Sequence, residues 1–379
     1  MNPIIIIGTG MAGYTLAREF RKLDKDSELI IISADAGGSY PKPNLSKALA
    51  DGKTVEQLVM MDAAKMSATL NARILTETRV DSIDTAAHSI SLNGESQAYS
   101  KLVLAVGADP IHPQFEGDAN DFVLSINDIA DYARFREALT DGAHVAIVGA
   151  GLIGCEFAND LCSTGHSVTL IGREESPLVH LLPNGSAEPL VTALAAAGVN
   201  WQLGCEAQSI NQQNHKLLVS LSNGENVEAD LVLAAIGLRA RITLASEAGL
   251  ACNRGIQTNR QCQTSAEDVF AIGDCAEVDG HLLPFVMPIM HCARALAKTL
   301  YDEPTDVSYP AMPVLVKTPL HPVNAVPPVS TDGEWAVDVT ATGARAVFSN
   351  KAGEILGFAL TGEAVSEKQA LLKEIPALL

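Results

Sequence analysis

The sequence predicts an α/β chain of two doubly wound units followed by a small α+β domain. Three observations carry that expectation. An apolar strand runs into a glycine turn twice, as IIIIGTGMAG from Ile4 and VAIVGAGLIG from Val145. An apolar strand ending at a glycine also occurs twice, as LVLAVGADP from Leu102 and LVLAAIGLRA from Leu231. The last seventy residues read differently, proline-rich at first and then strand-like. Alternating strand and helix patterns of this kind give parallel sheets with helices on both faces.

The elements follow in order. Ile4 to Ile7 lacks polar alternation and reads as a strand buried on both faces. Gly8, Thr9, Gly10, Met11, Ala12 and Gly13 form the turn, and Leu16, Ala17, Phe20 and Leu23 recur at helical spacing. Leu29 to Ile32 is the second strand. The other copy repeats the plan: Val145 to Val148, then Gly149, Gly151, Leu152, Ile153 and Gly154, an apolar helix face at Ile153, Phe157 and Leu161, a stop at Gly165, and a strand from Val168 to Ile171. In G-x-G-x-x-G the first glycine allows a tight turn and the second lets the backbone approach a pyrophosphate. The third lets helix and strand pack closely. Both units are therefore expected to be Rossmann-like dinucleotide-binding domains.

An acid after the second strand accepts hydrogen bonds from an adenosine ribose. In the first unit Ser33 ends the strand and Asp35 is the candidate. In the second, Gly172 is followed by Arg173, Glu174 and Glu175. The arginine suits a 2′-phosphate and the two carboxylates repel one, so the charge balance favours NADH over NADPH. A third signal is TSAEDVFAIGDCAE. Val269 to Ile272 reads as a short buried strand, and Gly273-Asp274 either offers a carboxylate to a cofactor hydroxyl or caps a helix starting at Cys275.

Composition narrows the function. A chain of 379 residues is expected to hold two or three domains. The net charge of −19 argues against nucleic acid or an anionic membrane as partner. No apolar run approaches the ~20 residues needed to span a bilayer, and no basic segment precedes the first apolar run. The seven cysteines are scattered without C-x-x-C or metal-site spacing, which fits a reducing cytoplasm and no metal. Asp109 to Asp118 reads as a connection. Six prolines between Tyr309 and Pro328 exclude a long helix or central strand there. Strand-like stretches at Trp335–Val339, Arg345–Phe348 and Ile355–Leu360 precede a closing helix expected over Ser366 to Leu378.

Two glycine-turn units, two strand–glycine repeats and a late Gly-Asp strand together resemble the two-dinucleotide flavoprotein reductases over essentially the whole chain. The resemblance implies FAD on a discontinuous domain, 1–110 with 238–307, and a nicotinamide nucleotide on 111–237. It leaves 308–379 as the α+β tail. Gly107, after Ala105, and Gly237 would close the two units. Disulfide reductases of this superfamily carry a redox cysteine pair after the second strand, and the oxidases and peroxidases carry one. Here that loop reads SYPKPNLSKALADG, and no cysteine precedes Cys155. The loop instead resembles that of the ferredoxin, putidaredoxin and rubredoxin reductases.

By that resemblance Lys42, Pro43 and Lys47 contact flavin or phosphate, and Val80 reaches the adenine through its backbone. Glu156 would lie on the first helical turn near the nicotinamide–flavin contact, Val286 and Met287 near the isoalloxazine, and Lys317 beside the flavin ring, with Lys317 and Glu156 as catalytic residues. YPKPNLSK, GLIGCEFANDL, GDCAEVDG and VKTP together point to the rubredoxin-reducing branch. The implied reaction takes electrons from NADH through FAD to rubredoxin, one at a time. Flavorubredoxin or a [2Fe–2S] ferredoxin as acceptor, or a role in NADH sensing, are the alternatives. Rubredoxins are typically acidic, so docking on this acidic chain calls for a local basic or apolar patch, with Lys42, Lys47 and Lys317 as candidate cations. A monomer is expected.

Overall fold

A computed structural model describes residues 2–379. The first sheet is wholly parallel, in the order Val269–Ala271, Lys101–Leu104, Ile4–Ile7, Leu29–Ile32, Arg73–Leu75. Ile4 to Ile7 sits at its centre, each residue at most 7% exposed. Burying each such side chain contributes about 1.5–3 kcal/mol, so an all-apolar strand is what this position selects. The outer strand 269–271 arrives only after the whole second unit has been built, so the first unit is discontinuous in sequence.

The second sheet has the same order: Val199–Leu203, Ser167–Gly172, His144–Val148, Leu231–Ala234, Val123–Leu124, again parallel. Each unit carries a three-stranded antiparallel insertion, at residues 82–98 in the first and 207–229 in the second. The two strand–glycine repeats meet where the units join. Ala108–Pro110 pairs antiparallel with Leu238–Ala240, directly after Gly107 and Gly237. Those glycines hold φ of +74° and +119°, a region that β-carbons disfavour. The chain thus leaves the first unit and re-enters it side by side.

Helices Met11–Leu23 and Leu152–Cys162 follow the two glycine turns, and helix Val286–Leu300 packs on the former. The tail is a five-stranded antiparallel sheet ordered Val314–Val316, Val323–Val326, Ile355–Gly362, Gly343–Ser349, Glu334–Thr340. Its second strand fits the four residues between Pro322 and Pro327, where no proline removes a ladder donor. Val316, Val323, Ala325, Ala346 and Ala359 pack into the apolar core of the second unit.

Two expectations need correction. The closing helix is a 3₁₀ turn, Glu363–Glu367, and one α-turn, Lys368–Leu371. Pro376 disfavours helix before it, and the chain end extends instead: the Leu378 N–H donates to Tyr309 O and the Tyr309 N–H to Leu379 O. Nor does a helix begin at Cys275. Ala276–Val278 is a strand, so Asp274 is no helix cap.

Candidate functional site

A cavity of about 1670 Å³ opens where the two units and the tail meet. Its wall includes Gly8, Thr9, Gly10, Met11 and Ala12 from the first glycine turn, Ala105 and Gly107 from the adjoining strand end, and Val80. Leu152 and Ile153 come from the second unit's helix, Val286 and Met287 from the N-terminus of the 286–300 helix, and Lys317 from the tail.

The two glycine turns are near-copies. A β-carbon on Gly8 would lie 2.2 Å from Ala105 O, and one on Gly149 would lie 2.4 Å from Ala235 O. On Gly13 and Gly154 it would meet Gly8 O at 2.0 Å and Gly149 O at 1.9 Å. First and third glycines are thus required by backbone packing. Gly10 and Gly151 face open space, and each caps its helix without a side-chain hydrogen bond. The first N–H groups of both helices are left free for an anion.

Beyond the first turn, Thr9 and Ser33 hydroxyls stand 2.5 Å apart, and Ser33 Oγ donates to Asp35 Oδ1. Asp35 also accepts the Gly37 N–H, which holds the carboxylate at the cavity edge. Lys42, Pro43 and Asp274 also line the wall. Burial lowers the Lys42 pKa, opposed chiefly by the Asp274 charge. Burial raises that of Asp274, opposed by Lys42. Lys42 Nζ donates to Asn127 Oδ1 at 2.6 Å.

The third feature joins all three parts of the chain. Glu156, 0% exposed, accepts the Lys317 N–H at 2.8 Å, Lys317 Nζ at 2.6 Å and the Ser46 hydroxyl. Asn159 on the same helix accepts the Leu320 N–H, and Asp160 accepts those of Leu49 and Ala50. One helical face therefore grips both the 42–50 loop and the tail. Burial pushes the Asp160 carboxyl up to about 6.

Several sequence expectations change. Glu156 lies in the second helical turn, outside the cavity wall, and is bonded to Lys317, which lines that wall. Lys47 does not reach the wall either. Its ammonium pairs with Asp51 at 3.1 Å, one helical turn away on the surface. Lys47 and Lys317 are each paired with a carboxylate, whereas Lys42 is bonded to the neutral Asn127 amide and keeps its charge. The cavity wall exposes apolar side chains, Ile153, Leu238, Val286, Leu315 and Val329 at 40–72%, together with the exposed cations Arg79, Arg239 and Arg241. Gly149, Gly151, Gly154 and Gly237 shape the second turn and the joint without lining the wall. Gly273 lets its strand end approach the first helix, since a β-carbon there would meet Ala12 Cβ at 2.7 Å. Glu175 stands exposed against Gly204, and Arg173 is held by Glu174 at 3.0 Å. Ser46, Asn127 and Asp160 were not found from sequence. Each acts on a residue 85 to 111 positions away, and no local pattern marks such a partner. Among the described residues all seven cysteines are free thiols and none lines the cavity.

Comparison with known proteins agrees with this geometry. Residues 2–298 match the pyridine nucleotide-disulphide oxidoreductase family, and residues 306–375 match the rubredoxin binding C-terminal domain. Rubredoxin-NAD(+) reductase of Alcanivorax borkumensis is 47% identical over 381 residues, covering 100% of both chains. That of Acinetobacter baylyi is also 47% identical, over 100% of this chain and 99% of its own. A nitric oxide reductase FlRd-NAD(+) reductase of Aliivibrio fischeri is 36% identical over 98% of each. In structure the chain resembles putidaredoxin reductase, from its covalent complex with putidaredoxin, at a TM-score of 0.88 and 24% identity, over 99% of this chain and 94% of that one. The chain therefore belongs to the pyridine nucleotide-disulphide oxidoreductase family and carries that family's two-unit body with a rubredoxin-binding C-terminal domain.

Proposed function

We propose that this chain is an FAD-dependent reductase that takes electrons from NADH and passes them, one at a time, to rubredoxin. The carrying observation is the single cavity in which the first glycine turn, the second unit's helix N-terminus and a tail lysine meet. The cavity exceeds the roughly 300–1,000 Å³ of common ligand pockets, as an extended dinucleotide meeting the reacting end of a second one requires. The residues fit FAD: an unobstructed Gly10, free helix N–H groups, and a cation and a carboxylate facing the same space.

When bound, FAD supplies hydride acceptance and one-electron release. The chain's own groups bind and orient. The first turn and helix N-terminus receive the pyrophosphate, and Asp35 accepts from the adenosine ribose. Lys42 and Asp274 serve the ribityl–phosphate stretch, and the Val80 backbone meets the adenine. The second turn takes the nicotinamide nucleotide, with Glu175 at its ribose. The Glu174 contact occupies Arg173, which favours NADH. Lys317 lines the cavity wall with its ammonium paired to Glu156, and its two remaining N–H donors can hydrogen-bond negative charge developing nearby. No general base is needed for hydride transfer.

The full-length relatives that reduce rubredoxin support that acceptor, and so does the tail's family. The apolar side chains and exposed arginines of the cavity wall support a local contact, since whole-molecule charge attraction is lacking between two acidic proteins. Residues 1–110 with 238–307 form the FAD domain, 111–237 the nicotinamide domain and 308–379 the tail. The protein acts as a monomer in the cytoplasm; no helix among the described residues is long and apolar enough to cross a membrane. Anaerobic stopped-flow tests the reading. Fast bleaching of the protein's yellow colour by NADH, slower by NADPH, should be followed by loss of rubredoxin's iron–thiolate colour. An inert rubredoxin with rapid flavin reduction moves the acceptor to flavorubredoxin or a [2Fe–2S] ferredoxin.

A further inference from the structure

We infer that Asn127, on the second unit, is a positioning residue that sets Lys42 in the cavity of the first. The inference rests on the reading that this cavity holds FAD. Asn127 is 7% exposed and directly precedes the cap of helix Ile129–Ala138. Its side-chain oxygen and nitrogen and its backbone N–H are all committed. Oδ1 accepts from Lys42 Nζ at 2.6 Å, Nδ2 donates to Ala108 O at 2.9 Å, and the backbone N–H donates to Asp131 Oδ2 at 2.9 Å. Only one orientation of the amide satisfies both neighbours, because an ammonium cannot accept and a carbonyl cannot donate. The oxygen must face Lys42.

The neutral amide has a physical consequence. Lys42 has three N–H donors, and one is used on Asn127. A carboxylate in that place would hold the ammonium equally well but cancel its charge. An amide holds it and leaves two donors and the full charge for an anionic ligand in the cavity. Without Asn127 the surrounding charges are Asp274, Asp128 and Asp131, which attract Lys42, and Arg241, which repels it. Released from the amide, the ammonium would be free to move among these carboxylates, and its fixed setting against a ligand would be lost. Ala108, which anchors the amide, belongs to the two-stranded ladder joining the units. The setting of Lys42 therefore depends on how the units are joined.

A double-mutant cycle tests this on the apoprotein, with FAD affinity read from quenching of flavin fluorescence and the midpoint potential measured on the reloaded protein. Lys42→Met removes one charge-assisted contact and should weaken FAD binding about tenfold or more. Asn127→Leu should weaken it about fivefold by releasing Lys42. The double variant should match Lys42→Met within about twofold in affinity and equal it in potential, because Asn127 has no role once Lys42 is gone. Effects that multiply, or an unchanged affinity in Asn127→Leu, overturn the inference. Asn127→Ser, too short to reach Nζ, gives the same cycle if the leucine variant unfolds early. A wild-type apoprotein that binds no FAD overturns the cofactor reading together with this inference, whereas multiplying effects overturn the Asn127 role alone.

Discussion

Replacing Lys317 with methionine should weaken the attachment of the tail more than neutralising its partner does. Lys317 has 27% of its side chain exposed, while Glu156 is fully buried. Opposite charges about 4 Å apart attract by about 4 kcal/mol at the effective dielectric of a partly solvated site. In Lys317→Met that attraction disappears and a buried carboxylate keeps only the Ser46 hydroxyl and the residue 317 N–H. Stranding a buried charge costs about 3–5 kcal/mol, and the partial exposure of Lys317 places this case near the lower end. Glu156→Gln keeps one acceptor for the Lys317 N–H, and its NH2 can donate to a turned Ser46 hydroxyl, so that mainly the solvent-reachable ammonium is stranded and about 1–2 kcal/mol is expected. Trp335 offers the assay. It lies on the tail's edge strand, packs toward the second unit's core and stacks edge-on against Phe348. Urea titration followed by tryptophan emission should show the earliest transition for Lys317→Met, a smaller shift for Glu156→Gln, and a double variant milder than the sum. Equal midpoints, or Glu156→Gln the more damaging, would refute the account of a buried charge held by a half-solvated one.

Three further outcomes follow from the geometry. Gly13→Ala should lose FAD while Gly154→Ala keeps it but is no longer reduced by NADH, since each β-carbon strikes a carbonyl in its own unit; flavin content and reduction rate decide, and the reverse pattern would exchange the two units' ligands. Asp160, raised from 3.8 to about 6, keeps a proton in the folded chain that the unfolded chain has lost between those values. Its favourable contribution is therefore complete below about pH 4 and lost as pH rises through 6, a penalty of about 3 kcal/mol by pH 8. Asp160→Asn gives up one of two N–H bonds, about 1 kcal/mol, so it should stabilise by about 2 kcal/mol at pH 8 and destabilise by about 1 at pH 4; matching denaturation curves at both pH values would contradict this. Glu174→Ala frees the Arg173 fork for a 2′-phosphate and should raise the ratio of NADPH to NADH kcat/KM about tenfold; an unmoved ratio would show that the ion pair does not select the nucleotide.

The sequence by itself determined the two units. A buried strand, a glycine turn and an apolar helix face are local demands, and each leaves a mark within about thirty residues. Gly8, Gly13, Gly149 and Gly154 were legible because no other residue fits against the carbonyls beside them. The Pro-rich stretch likewise excluded a long helix, although it did not show the short strands Val314–Val316 and Val323–Val326, and Pro376 and the docking of the chain end on Tyr309 cut the closing helix shorter than its residues suggested. Tertiary structure alone decided how the units meet. The pairing of 108–110 with 238–240, the hold of Glu156 on Lys317 across 161 residues and that of Asn127 on Lys42 across 85 have no local signature. Lys47 is the opposite case, since its partner Asp51 stands only four residues on, a local pair that its lysine-bearing motif obscured. A side chain's partner depends on which surfaces close against each other, and burial then makes that one contact obligatory by removing water as the alternative.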